Sequence, residues 1–415
     1  MKLLYSGRAR LSVVALGLAV QMVGSFARGA AAPGRAAIDE GLRAAVERRD
    51  VPGVLAMAAD RHGVIYQGAA GLAESQGSRA LTMDAIFRIA SMTKAVTSVA
   101  LMQLVAEGRV ALDDPAEKYF PALAHPMVFE SFDAATHAYL LRPARTAITV
   151  RHLLTHTSGL GYPFTSAILR DFKPKEGEQY PAGPLLFEPG TQWLYGTGID
   201  WAGRLVEKLS GRTLEEYFRE RIFAPLGMAD TFFSVPEEKW ARVVNVHDRL
   251  PNGSFQERAR PALTPVTTYN GGGGLYSTAG DYIRFLRMLL NGGELDGEKI
   301  LSKDAVAQMS QNHIGAVNVR ALQSALPLQS ADFTFVADGH DKWGIGFLIT
   351  TDHVAGKRSA GSMSWGGINN TYFWWDPTRG VAGVILMQFY PFADPKALGV
   401  YDAFERGVYQ LAGAR

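Results

Sequence analysis

The stretch Phe87–Gly108, "FRIASMTKAVTSVALMQLVAEG", sets a serine and a lysine three residues apart at the mouth of a long apolar run. Val96, Val99, Ala100, Leu104 and Val105 form a stripe at helical spacing, and Gly108 stands where a glycine ends a helix, so Ser91 falls at the helix N-terminus. Residues at i and i+3 share a face with Cβ atoms roughly 5–6 Å apart, which brings the Lys94 amine to the Ser91 hydroxyl. The partial positive charge of the helix start favours a developing alkoxide and disfavours a cation in the first turn. Both effects point to a neutral lysine able to accept the serine proton. The plain alternative is a serine N-cap followed by a surface lysine. Against it, "AVTSVALMQLV" after Lys94 carries no charge, which buries the helix on most sides, and no other serine in the chain has a lysine three residues on.

Outward from this helix, the two ends of the chain mirror one another. "RAAIDEGLRAAVERR" (35–49) reads as an amphipathic helix, and the runs on either side of Arg61-His62-Gly63 read as a β-hairpin. A second hairpin turns at Asp376–Gly380, and Pro395–Ala414 reads as a closing helix. The expectation is an α/β (α+β) fold: one antiparallel sheet from both ends, flanked by the terminal helices, built from residues 35–115 plus 270–415. Residues 116–269 alternate short helical patterns with Pro/Gly-rich loops and force no long strand, so a mainly helical insertion is expected there.

A chain of 415 residues, 47% apolar and 20% charged, has material for a large core. Its net charge of +2 and the lack of a basic, aromatic-interleaved run argue against nucleic acid as a partner. With no cysteine, disulfides, thiolate metal sites and cysteine nucleophiles are excluded. His152 and His156 have ligand-like spacing but lack the intervening Glu of a metalloprotease helix, so no metal and no cofactor is expected. Lys2, Arg8 and Arg10, the apolar run Leu11–Val23 and a small-residue exit make residues 1–30 a secretory signal, too short to span a bilayer. Export to the periplasm or the extracellular space, without stable membrane insertion, follows; no oligomeric state does.

"IASMTKAVTSVALMQLVAEGRVALDDP" (89–115), "ITVRHLLTHTSGLGY" (148–162), "FEPGTQWLYG" (187–196) and "GGGGLYSTAGDYIRFLRMLLNGG" (271–293) stand in an order and spacing that resemble the serine β-lactamase-related hydrolases, closest to the class C β-lactamases and family VIII carboxylesterases. The resemblance implies a β-lactamase/penicillin-binding-protein-like fold, Ser91 as acylated nucleophile, Lys94 as its base or base partner and Tyr195 of "WLYG" completing the set. It implies an oxyanion hole from the backbone amides of Ser91 and Ile368, and a substrate strand at Trp365-Gly366-Gly367. Two departures shift the expectation from β-lactam to ester. Tryptophan replaces the lysine of a Lys-Thr-Gly strand motif, and Thr197 stands where Tyr-x-Asn has its amide. The expected substrate is a small-molecule, short-chain carboxylic ester. A β-lactamase, D-amino-acid peptidase or acyltransferase of this fold, or an inactive secreted binding protein, are the alternatives. His156 with Ser158 invites a Ser-His reading, but their adjacency builds no triad, and no Gly-x-Ser-x-Gly elbow exists. Asp200 reads as a helix-start residue. Tyr162, Phe164, Tyr180 and Trp193 are candidates for a pocket wall.

Overall fold

The computed structural model describes residues 33–74, 79–333 and 335–413; the leader-like residues 1–30 lie outside them. Helix α1 (Pro33–Glu47) buries Ile38, Leu42 and Ala45 on one face. Strands β1 (Gly53–Asp60) and β2 (Val64–Gly71) form the expected hairpin, its turn held by the Asp60 carboxylate accepting from the His62 and Gly63 amides. Strand β3 (Phe87–Arg88) runs through a single 3₁₀ turn, Ala90–Met92, into α2 (Thr93–Ala106). The middle of the chain contributes β4 (Met127–Phe132), β5 (Tyr139–Pro143), α3 (Val150–Leu154) and α4 (Gly198–Ser210). Strand β6 (Tyr276–Ser277) pairs with β3 and leads into α5 (Ala279–Leu290). The last part supplies β7 (Lys342–Trp343), β8 (Leu348–Thr350), β9 (Ser362–Gly367), β10 (Thr371–Asp376), β11 (Val381–Leu386) and α6 (Pro395–Gly413).

The main sheet has the order β7-β8-β9-β10-β11-β1-β2, with every neighbouring pair antiparallel. The pairing of β1 with β11, Leu55 opposite Leu386, joins the two ends of the chain. Alternation along β10 shows what covers each face. Tyr372 and Trp374 meet Tyr401 and Phe404 of α6 at 4.9 and 5.5 Å between ring centroids, whereas Phe373 between them meets Tyr282 of α5 at 5.4 Å. Helices α1 and α6 therefore cover one face and α5 the other, which is why β9, β10 and β11 are buried along their whole length.

Helix α2 packs against α4 and is buried from Thr93 through Leu104. A helix with no polar face belongs in the interior. Each fully buried Val, Leu or Met on it contributes about 1.5–3 kcal/mol of transfer free energy. This burial carries Lys94, 1% exposed, into the core with it.

The middle segment is richer in strand than its sequence patterns predict. β4 and β5 pair antiparallel, with a bulge between Phe129 and Ser131. Their turn has neither Gly nor Pro: Asp133 Oδ1 accepts from the amides of Ala135 and Thr136, and His137 takes φ of 58°. An Asx-type turn of this kind leaves no sequence punctuation. From 310 to 341 the described residues form neither helix nor strand. This strap is tied to the middle segment by the Ala325 amide on the Phe164 carbonyl, and to the loop before α6 by the Ala331 amide on the Phe392 carbonyl.

Candidate active site

The turn that carries Ser91 is held on three sides. The Ile89 amide donates to the Leu275 carbonyl beside β6, Thr93 Oγ1 donates to the Ala90 carbonyl at 2.6 Å, and Tyr282 Oη of α5 donates to the Met92 carbonyl. Ala90 has φ of 45°, a left-handed conformation that costs a non-glycine residue about 1–3 kcal/mol and persists only where the surroundings impose it. On the fourth side, Gly367 at the end of β9 lies so close to the Ile89 carbonyl that a Cβ would stand 2.2 Å from its oxygen. Ser91 is half-buried, and the caps of the 3₁₀ turn and of α2 are Ile89 and Met92, without side-chain bonds, so the Ser91 hydroxyl is not a helix cap.

Lys94 is the hub of the polar contacts. Its Nζ lies 3.3 Å from Ser91 Oγ and 3.1 Å from Tyr162 Oη, and donates to the Gly272 carbonyl at 2.6 Å. Tyr162 Oη in turn donates to Asp200 Oδ2 at 2.8 Å. Burial first, and then the Asp200 charge, push the Tyr162 phenol well above its ordinary value, so it keeps its proton. Tyr195 meets Lys94 differently. Its ring centroid lies 4.8 Å from Nζ, while its buried hydroxyl has no partner among the described residues.

An aromatic wall surrounds Tyr195. Trp365 (4.9 Å), His156 (4.8 Å), Tyr162 (5.4 Å) and Phe333 (6.1 Å) stand around its ring, and Trp343 and Phe335 back Trp365 at 4.7 and 5.7 Å. Phe164 stacks on Tyr162 at 5.2 Å. Phe333 and Phe335 belong to the strap, which roofs the site.

A beta-lactamase family profile spans residues 38–404. The chain belongs to the beta-lactamase family. It is 33% identical over 400 residues to the acyltransferase calJ of Penicillium decumbens, covering 87% of this chain and 94% of that protein. It is 32% identical over 380 residues to the lovastatin esterase of Penicillium rubens, covering 85% and 92%. Among solved structures, the LovD6 mutant of simvastatin synthase from Aspergillus terreus matches with a TM-score of 0.79 at 30% identity, over 94% of this chain and 100% of that one. Serine hydrolases and acyltransferases share this family and fold.

Within this beta-lactamase-family scaffold the residues singled out by sequence fall as follows. Ser91 and Lys94 meet directly. Trp365, 2% exposed, points from β9 toward Tyr195, so no cation stands at that strand position. Gly366 and Gly367 end β9, and Ile368 follows them in the turn to β10. Thr197 is the N-cap of α4, and its side chain makes no capping bond. Tyr180 lies apart, bonded to Glu178 and near Phe172. His156 Nδ1 accepts from the Gly196 amide, and Ser158 Oγ accepts from the Leu160 amide, so the two form no catalytic pair. Burial holds His156 well below its ordinary value and hence neutral. His152 closes a capping box with Thr149. Sequence reasoning missed the hydrogen-bonding role of Tyr162, treated as pocket wall, and of Asp200, treated as a helix start. Gly272 it did not single out at all.

Proposed function

We propose that this chain hydrolyses carboxylic esters of small molecules by two-step acyl transfer through Ser91. The observation that carries the reading is the Lys94 amine, buried and 3.3 Å from the Ser91 hydroxyl, in a turn clamped on every side. Lys94, as the unprotonated amine, takes the Ser91 proton while Oγ bonds to the ester carbonyl carbon. The amides of Ser91 and Ile368 receive the oxyanion. As the tetrahedral adduct collapses, the C–O bond to the alcohol breaks and Tyr195 Oη gives the leaving alkoxide a proton, which Lys94 returns to it. In the second step water loses a proton to the same pair, attacks the acyl carbon, and Ser91 leaves protonated. The Tyr195 hydroxyl, without a partner among the described residues, on a ring whose centroid lies 4.8 Å from the amine, suits this shuttle. Trp365 in place of a strand lysine supports an ester over a β-lactam, whose carboxylate would find no cation there.

One observation favours a second reading, transfer of the acyl group to an alcohol. The wall around Tyr195 is almost wholly aromatic, which suits an apolar acceptor better than water, and calJ carries the name of an acyltransferase. The test measures a short-chain p-nitrophenyl ester and a chromogenic cephalosporin in parallel, with and without 1-butanol, for the wild type and Ser91→Ala. The reading expects ester turnover well above cephalosporin turnover, abolished by S91A. Ester cleavage surviving in S91A rejects it, faster cephalosporin turnover moves the assignment to β-lactams, and butyl ester as the main product selects the transferase. The signal-like residues 1–30 support export. N-terminal sequencing of protein recovered outside the cytoplasm is expected to show that segment removed, and an intact Met1 overturns the proposal.

A further inference from the structure

We infer that Asp200 is a positioning residue for the base: by holding the Tyr162 hydroxyl proton it fixes which way the Lys94 lone pair points, and so aims that lone pair at Ser91. The inference rests on the acyl-enzyme reading and is argued from hydrogen-bond accounting. An unprotonated lysine amine has two N–H donors and one lone pair. Three oxygens surround Nζ: the Gly272 carbonyl, Tyr162 Oη and Ser91 Oγ. The carbonyl can only accept. Tyr162 Oη spends its single proton on Asp200 Oδ2 at 2.8 Å, so toward Lys94 it too can only accept. Both N–H bonds are then taken, and the lone pair is left for the Ser91 O–H. Without the Asp200 carboxylate the Tyr162 proton is free to swing onto the amine, where it competes with Ser91 for the same lone pair.

Two further observations fit. Asp200 forms no ion pair with any described lysine or arginine, so no cation accounts for its side chain. Its carboxylate also packs against Gly272, where a Cβ would stand 2.3 Å from Oδ2. The same short loop thus seats Asp200 and offers the carbonyl that holds Lys94.

The test reads the second-order rate of Ser91 labelling by diisopropyl fluorophosphate, in which Oγ–P forms, P–F breaks, fluoride leaves and the serine proton passes to Lys94. It needs no knowledge of the natural ester. Asp200→Ala and Tyr162→Phe are each expected to label about 30-fold more slowly, less than the roughly 10²–10⁴-fold of full general-base catalysis because Lys94 itself is retained. The double variant is expected to match Y162F within about twofold, because Asp200 acts through Tyr162. Asp200→Asn keeps a carbonyl oxygen for the tyrosine and is expected to recover most of the rate. Wild-type-like labelling by D200A overturns the inference, as does the same loss from D200A in the Y162F background, or D200N no better than D200A. Should D200A not fold by circular dichroism, Asp200→Leu, similar in size and without an acceptor, replaces it in both backgrounds. A wild type that does not label at all instead rejects the acyl-enzyme reading itself.

Discussion

Gly367 is where the substrate strand meets the nucleophile turn, and Gly367→Ala perturbs that contact. A Cβ there would stand 2.2 Å from the Ile89 carbonyl oxygen and 2.4 Å from Thr371 Oγ1. The threonine hydroxyl can rotate away. The carbonyl cannot, because it is backbone, accepts from the Met92 amide, and precedes Ala90 in its left-handed conformation. Ordinary contact begins at 3.4 Å, so strand and turn must separate by about 1.2 Å. That displaces Ser91 from the strand-end amide of Ile368, and a misplacement of about 1 Å costs roughly 10²-fold in rate. The overpacking itself costs about 1–3 kcal/mol of stability. Steady-state hydrolysis of a p-nitrophenyl ester is expected to show kcat down about 100-fold with KM nearly unchanged, the mark of an interaction used in the transition state. Thermal melting is expected to fall by several degrees without loss of the cooperative transition. A folded G367A with kcat within about threefold of wild type refutes the claim that β9 seats the nucleophile turn.

Other parts of the structure make further predictions. His156 stays neutral in the fold, whereas in the unfolded chain it titrates near 6.5, so its contribution is intact above that pH and is lost as pH falls below it, by up to about 1.4 kcal/mol per pH unit. Denaturant titrations between about pH 7.5 and 5 should show this slope reduced in His156→Asn, a residue that tolerates the φ of 57° found there; an unchanged slope rejects the assignment. Glu405 and Arg358 form a buried pair that Tyr401 also joins, so Glu405→Ala, which strands the guanidinium, is expected to cost about 3–5 kcal/mol in chemical denaturation, against much less for a joint Arg358→Met, Glu405→Leu replacement. Phe333→Ala removes the strap's ring from the wall over Tyr195 and is expected to shift kcat/KM toward longer acyl chains across a p-nitrophenyl ester series; an unchanged chain-length profile means the strap does not shape the site.

The parts of the fold legible in the sequence were those written in local periodicity. The two hairpins, the terminal helices and the uncharged Ser91 helix each carry their signal within a short window, and their shared sheet followed from the symmetry of the ends. The β4–β5 hairpin was not legible, because an aspartate side chain makes its turn without Gly or Pro. The same limit applies at the site. Ser91 and Lys94 are neighbours in sequence and could be paired by helical spacing, but Tyr162 and Gly272 reach Lys94, and Asp200 reaches Tyr162, from separate elements that share no spacing rule. Tyrosine and aspartate are ordinary at those positions until the fold brings them together. The Tyr195 position was found by resemblance, and what resemblance did not supply is that its ring, rather than its oxygen, faces the lysine.

The central claim is a covalent intermediate on Ser91. Its most direct test is peptide mapping by mass spectrometry of protein quenched in acid within milliseconds of mixing with a slowly deacylating p-nitrophenyl ester. The structure predicts one acyl group per chain on the peptide carrying Ser91-Met92-Thr93-Lys94, fragmenting to place it on Ser91, and none in Ser91→Ala. An acyl group on another residue, or ester cleavage in S91A at the wild-type rate, contradicts the account.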